Sequence, residues 1–133
     1  MALAPGLKAE ISRVVADSDT AAAYGSGLVP VLSTPHLIAL MESAAQRVIE
    51  PYLEESQTAV GIRVDMRHLA ATPVGMQVRV QAELVEVDGR RLRFRVEAWD
   101  AVERVGEADH ERFIVDRARF LKRVAEKAQT NDA

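Results

Sequence analysis

The sequence predicts an α+β protein in which one antiparallel sheet wraps a central helix. Two observations carry this. Ser33 to Glu50 reads as a single apolar helix with a sharp start and a sharp stop. From Thr58 to Val115 the hydrophobic period changes to two, and short turns divide that stretch into strands. Short turns favour antiparallel neighbours. One apolar helix ahead of such a sheet has to be covered by it.

The elements follow in order. Lys8 to Val15 alternates and ends in two valines, a strand. Asp17 to Gly27 is rich in small and polar residues with one aromatic, Tyr24, and reads as a connector or lid. Thr34 before Pro35 starts the helix, since threonine can cap free N–H groups and proline suits the first helical position. Pro51 stops it. On a helical wheel Ile38, Glu42, Ala45 and Ile49 form one stripe flanked by Leu37, Met41, Ala44 and Val48. His36, Ser43, Arg47 and Glu50 form the polar strip opposite. In the next strand Ile62, Val64, Met66, His68 and Ala70 share a face. Thr72 to Gly75 is a turn, and Asp88-Gly89 marks a hairpin. Gly106, Ala108, His110, Arg112 and Ile114 share one face of the last strand. Arg117 to Gln129 is an amphipathic helix, and Thr130 to Ala133 should fray. The expectation is one domain over 1–133, with a core at about 8–117 and a C-terminal helix at about 117–129.

Composition excludes several classes. The chain has 133 residues, 48% hydrophobic and 28% charged, ordinary for a globular protein. A net charge of −3 gives no electrostatic basis for nucleic-acid binding. With no cysteine there are no disulfides, thiolate metal sites or thiol nucleophiles. Leu28 to Met41 is the most apolar run, and it is broken by Pro30 and Pro35, so no membrane span is expected. The N-terminus lacks a secretory pattern, which favours the cytoplasm. No metal-ligand spacing, phosphate loop, dinucleotide fingerprint or serine elbow occurs, so no metal and no cofactor is expected.

Two ionisable residues fall on faces that should be apolar: Glu42 on the helix and His68 on the strand after it. Packed together they would form a dry acid–base pair. The helix start adds Thr34 and free N–H groups suited to an oxyanion. Thr34 and Glu42 are eight residues apart, about 12 Å along a straight helix, too far to touch one carbon. The expectation is an active site shared across a homodimer. Arg112 and His110, on a face of small residues, suggest a polar neighbour, or a strand end turned outward. Gly61 lets a backbone approach a ligand, or marks a bend. Arg91, Arg93 and Arg95 form an outward stripe, read as a solvated sheet face.

The runs G-L-V-P-V-L-S-T-P-H-L-I-A-L-M-E, V-G-I-R-V-D-M-R-H-L-A-A-T-P-V-G, V-D-G-R-R-L-R-F-R-V-E-A-W-D and H-E-R-F-I-V resemble the fluoroacetyl-CoA thioesterase-like group of hotdog-fold proteins, from about Gly27 to Phe120. The resemblance implies a hotdog fold, dimers that join two sheets and could pair into tetramers, and hydrolysis of an acyl-CoA in the interface groove. It implies that Thr34, Glu42 and His68 are catalytic and that Gly61 and Arg112 bind substrate. Two other readings use the same residues: a non-catalytic acyl-CoA-binding module, and an enoyl-thioester hydratase.

Overall fold

The structure, a computed structural model, describes residues 2–130. Strand β1 spans Lys8–Val14 and is followed by a 3-10 turn, Asp17–Asp19, and a one-turn helix α1, Ala21–Tyr24. Helix α2 spans Thr34–Ile49 and passes into a second 3-10 turn, Glu50–Tyr52, that contains Pro51. Strands β2 (Gln57–His68), β3 (Gln77–Asp88), β4 (Arg91–Trp99) and β5 (Arg104–Asp116) follow, then helix α3 (Arg117–Thr130). Of Thr130 to Ala133, where fraying was expected, Thr130 closes α3 with its Oγ1 donating to the Glu126 carbonyl, and 131–133 lie outside the described residues.

All pairings are antiparallel, in the order β1-β3-β4-β5-β2. This corrects the simplest reading of the turns. β2 pairs with β5 rather than with its chain neighbour β3. The segment between β2 and β3 crosses three strand spacings, about 14 Å, which eight residues span easily. It is pinned on the way by Leu69 N–H to the Val105 carbonyl (2.8 Å) and Gly75 N–H to the Val15 carbonyl (2.8 Å). The outer edge of β2 pairs with no strand among the described residues. The β3–β4 hairpin turns on Gly89-Arg90, with Gly89 at φ 59°, the pattern of a type II′ turn that matches strand twist.

Helix α2 lies on one face of the sheet. Its buried row is Leu37, Met41, Ala44, Ala45, Val48 and Ile49, packed against Val78, Val80, Leu84, Leu92, Phe94 and Val96. Each large side chain buried here stabilises the fold by about 2 kcal/mol. The helix sits close to β5 because position 106 is glycine. A Cβ there would come 2.9 Å from Leu37 Cδ2 and 3.1 Å from Met41 Cε. The expected stripe is therefore rotated: Ile38 and Glu42 lie at the border of the buried row, and the Glu42 side chain is 41% exposed.

Two further expectations change. The helix cap is Ser33, whose Oγ accepts the His36 N–H at 3.1 Å, rather than Thr34, which occupies the first helical position. Ile62 leaves the apolar face and is 51% exposed. A β-bulge between Gly61 and Arg63 resets the alternation, so Ala59 and Gly61 face the helix before it and Val64, Met66 and His68 after it. No helix among the described residues is long and apolar enough to cross a membrane.

Candidate active site

The five residues singled out in the sequence fall into two groups. At the first, the start of α2 meets the end of β2. Thr34 Oγ1 and His68 Nδ1 are 2.8 Å apart. Burial holds His68 below the ordinary imidazole pKa, outweighing the Ala70 backbone, which favours the cation. A neutral imidazole beside a hydroxyl can take up or return its proton. His68 Nε2 is enclosed with no partner among the described residues. Several free N–H groups were expected at this helix start. Pro35 has none, the His36 N–H goes to Ser33 Oγ, and the Leu37 N–H goes to the Ser33 carbonyl (3.0 Å). Thr34's own N–H remains, at the positive end of the helix dipole.

The second group lies two turns along α2. Glu42 Oε2 is 3.4 Å from Arg112 Nη1. Arg112 is buried on β5 and donates from Nη2 to the Ala59 carbonyl at 3.0 Å. Its Nη1 also points at His110 Nε2, 3.3 Å away, and its Nε has no partner among the described residues. Burial lowers the Arg112 pKa, and Glu42 opposes that shift. Gly61 is opposite Arg112 across the ladder, and a side chain at position 61 would run into the Glu42 carboxylate. Here the glycine is a close approach, and Arg112 points inward.

The expected pairing of Glu42 with His68 inside one chain is not made. His68 bonds Thr34, and Glu42 faces Arg112. A face assignment does not fix position along the axis: His68 is level with the helix start, and Glu42 is about 12 Å further on.

Reading the connector by composition missed a third cluster. Asp19 is 1% exposed and accepts from Arg13 Nε and Nη2, both at 2.8 Å, and from the Ala16 N–H at 3.0 Å. The Arg13 guanidinium, opposed by burial and helped by the Ala16 N–H, holds its carboxyl down at about 2. His36, expected on an idle polar strip, lies between Asp19 (Nε2 at 3.4 Å) and the Tyr24 hydroxyl (Nδ1 at 2.7 Å). The Asp19 carbonyl takes the Ser33 N–H at 2.9 Å. The Tyr24–His36 and Ser33–Asp19 hydrogen bonds tie the connector to the start of α2, beside Thr34. An acidic residue in a polar connector was the only sequence signal.

A family profile described as fluoroacetyl-CoA-specific thioesterase (FlK) matches residues 15–118. This chain belongs to that family. A fluoroacetyl-CoA thioesterase from Streptantibioticus cattleyicolor is 41% identical over 97 residues, 73% of this chain and 70% of that protein. A solved structure of the fluoroacetyl-CoA thioesterase FlK superposes with a TM-score of 0.90 at 34% identity, covering 96% of this chain and 98% of that one. A hot-dog-like protein from Thermanaerovibrio acidaminovorans superposes with a TM-score of 0.86 at 26% identity, covering 92% and 91%. The sheet around a central helix is the hotdog fold, and the family is one of thioester hydrolases.

Proposed function

We propose that this chain, a single hotdog domain, hydrolyses small acyl-CoA thioesters in the cytoplasm, at sites completed by a second copy across the free edge of β2. Family membership carries the hydrolase reading. The observation that carries the shared site is the division of the polar residues. Thr34 with His68 and Glu42 with Arg112 and Gly61 stand about 12 Å apart along one helix. Both groups border β2, whose outer edge, unpaired among the described residues, is a template for a second β2. Antiparallel two-fold pairing of β2 with itself runs the His68 end of one copy toward the Gly61 end of the other.

In such a site the thioester carbonyl carbon gains a bond to oxygen and loses its bond to sulfur. Glu42 supplies the basic oxygen, either taking a proton from the attacking water or attacking the carbonyl carbon itself to give an anhydride that water then cleaves to release the acid and restore the carboxylate. The Thr34–His68 pair moves a proton toward the departing sulfur. The Thr34 N–H and the helix dipole favour the oxyanion. Arg112 and Gly61 border the acyl end. Only one aromatic, Tyr24, precedes the helix, and Ser43 follows Glu42.

The test is thiol release from a panel of acyl-CoAs, with the Glu42→Gln variant alongside. The reading expects turnover of short acyl-CoAs that the variant loses. Tight acyl-CoA binding without thiol release would make the chain a binding module. Loss of enoyl absorbance without thiol release would make it a hydratase.

A further inference from the structure

We infer that His110 is a positioning residue for this hydrolase: as a neutral imidazole carrying its proton on Nδ1, it holds Arg112 back from Glu42 and so keeps the Glu42 carboxylate free to react. The role rests on the thioesterase reading. The tautomer and the contacts do not.

The geometry fixes the protonation state. His110 is fully buried. Its Nδ1 lies 2.8 Å from the Arg63 carbonyl, which can only accept, so Nδ1 carries a hydrogen. Its Nε2 faces Arg112 Nη1 at 3.3 Å, and a guanidinium can only donate, so Nε2 carries a lone pair. An imidazolium would aim a second N–H at a cation. The surroundings agree. Arg112 and Asp109 are the charged neighbours on β5, Glu42 approaches from α2, and β2 offers the Arg63 carbonyl. β4 presents the Phe94 ring, 5.9 Å away centroid to centroid. Burial first, then the Arg112 charge, hold the His110 pKa down against the Arg63 carbonyl, Glu42 and Asp109.

Both ring nitrogens are thus committed to parts of the candidate site. Through Nδ1 the ring pins the backbone at the bulge that places Gly61 beside Glu42. Through Nε2 it shares Arg112 Nη1 with Glu42. A full charge-assisted bond between guanidinium and carboxylate closes to about 2.8 Å. Here the separation stays at 3.4 Å, because His110 and the Ala59 carbonyl hold the guanidinium from the other side. Without the Nε2 acceptor, Arg112 would close on Glu42, and a carboxylate in a tight ion pair is a weaker base and nucleophile.

Two substitutions separate the two bonds. In His110→Asn the amide can donate to the Arg63 carbonyl but leaves no acceptor at the Nε2 position. In His110→Gln the amide oxygen can reach that position. The expected result for His110→Asn is a kcat per folded site lower by roughly 10- to 100-fold with KM little changed, as for a displaced reactive group. The acid limb of its pH–rate profile should move to lower pH, and His110→Gln should recover part of kcat. A kcat and acid limb equal to those of the unsubstituted protein would overturn the role. If the variants fail to fold, nitrogen NMR of the unsubstituted protein decides. His110 should be neutral with Nδ1–H at pH 7, and a charged ring or an Nε2–H tautomer would overturn the inference. A panel in which the unsubstituted protein releases no thiol would overturn the thioesterase reading and this role together, while the NMR result would still decide the tautomer.

Discussion

The two faces of β5 carry charge in different ways. On the outer face Glu111 is paired with Arg91 and Arg63, and Asp109 with Arg93 and Arg63. Every carboxylate there has a cation, and the arginine stripe of β4 serves as its counter-charge. On the inner face Arg112 has one carbonyl at 3.0 Å, two longer contacts and an Nε with no partner among the described residues. Glu42 has one polar partner among the described residues, at 3.4 Å. The outer network is saturated: the Glu111 carboxylate is buried beneath Arg91 and Arg63, whose guanidiniums reach water, and the half-exposed Arg93–Asp109 pair adds little to stability or chemistry. The inner one is under-satisfied: Arg112 is buried with an Nε that has no partner among the described residues, and the Glu42 carboxylate beside it is partly open, so it stays available to a substrate.

Substitutions on the two faces should therefore separate by orders of magnitude. Glu42→Gln keeps shape and removes the basic oxygen, so thiol release should fall by roughly 10²–10⁴-fold with the melting temperature little changed. Gly61→Ala adds a methyl where the Glu42 carboxylate sits. The end of that side chain can swing away, so steady-state kinetics should show about a 10- to 100-fold loss while the fold survives. Unchanged kinetics would mean that the approach of Gly61 to Glu42 does not matter.

Away from both faces, Asp19→Asn should act on stability. The Asp19 carboxyl is held down from 3.8 to about 2, so its ion pair contributes fully above the ordinary carboxylate range and is lost as pH falls from about 4 toward 2. The half-open Arg13 end weakens the pair, so denaturant titration at pH 7 should show a loss of about 1–2 kcal/mol. That loss should shrink in acid. The smallest effect belongs to the outer face, where Arg93→Gln should leave both the melting temperature and turnover nearly unchanged.

The sequence made Glu42 and His68 visible because ionisable residues stood on faces that periodicity marks as apolar, and Thr34 visible because Thr-Pro marks a helix start. It located the elements well for the same reason. It did not show which of the three would meet. Periodicity reports the direction of a side chain and not its height along the helix or strand, so Glu42 and His68 looked like partners. The β2–β5 pairing was hidden because a short connection says nothing about a strand carried across the sheet. The bend offered at Gly61 is a bulge, but its effect on the alternation was hidden because one extra residue leaves the composition unchanged, and with it went the fate of Ile62 and the bond from His110 to Arg63. Ser33 and Thr34 are both good caps, and only the backbone angles decide between them.

The shared site is tested most directly by mixing two inactive proteins, one Glu42→Gln and the other His68→Asn, after native mass spectrometry has shown that their subunits exchange. In a mixed dimer one site would carry both substitutions and the other neither. Random exchange should therefore restore about a quarter of the unsubstituted activity. An inactive mixture with mixed dimers present would contradict a site built from two copies.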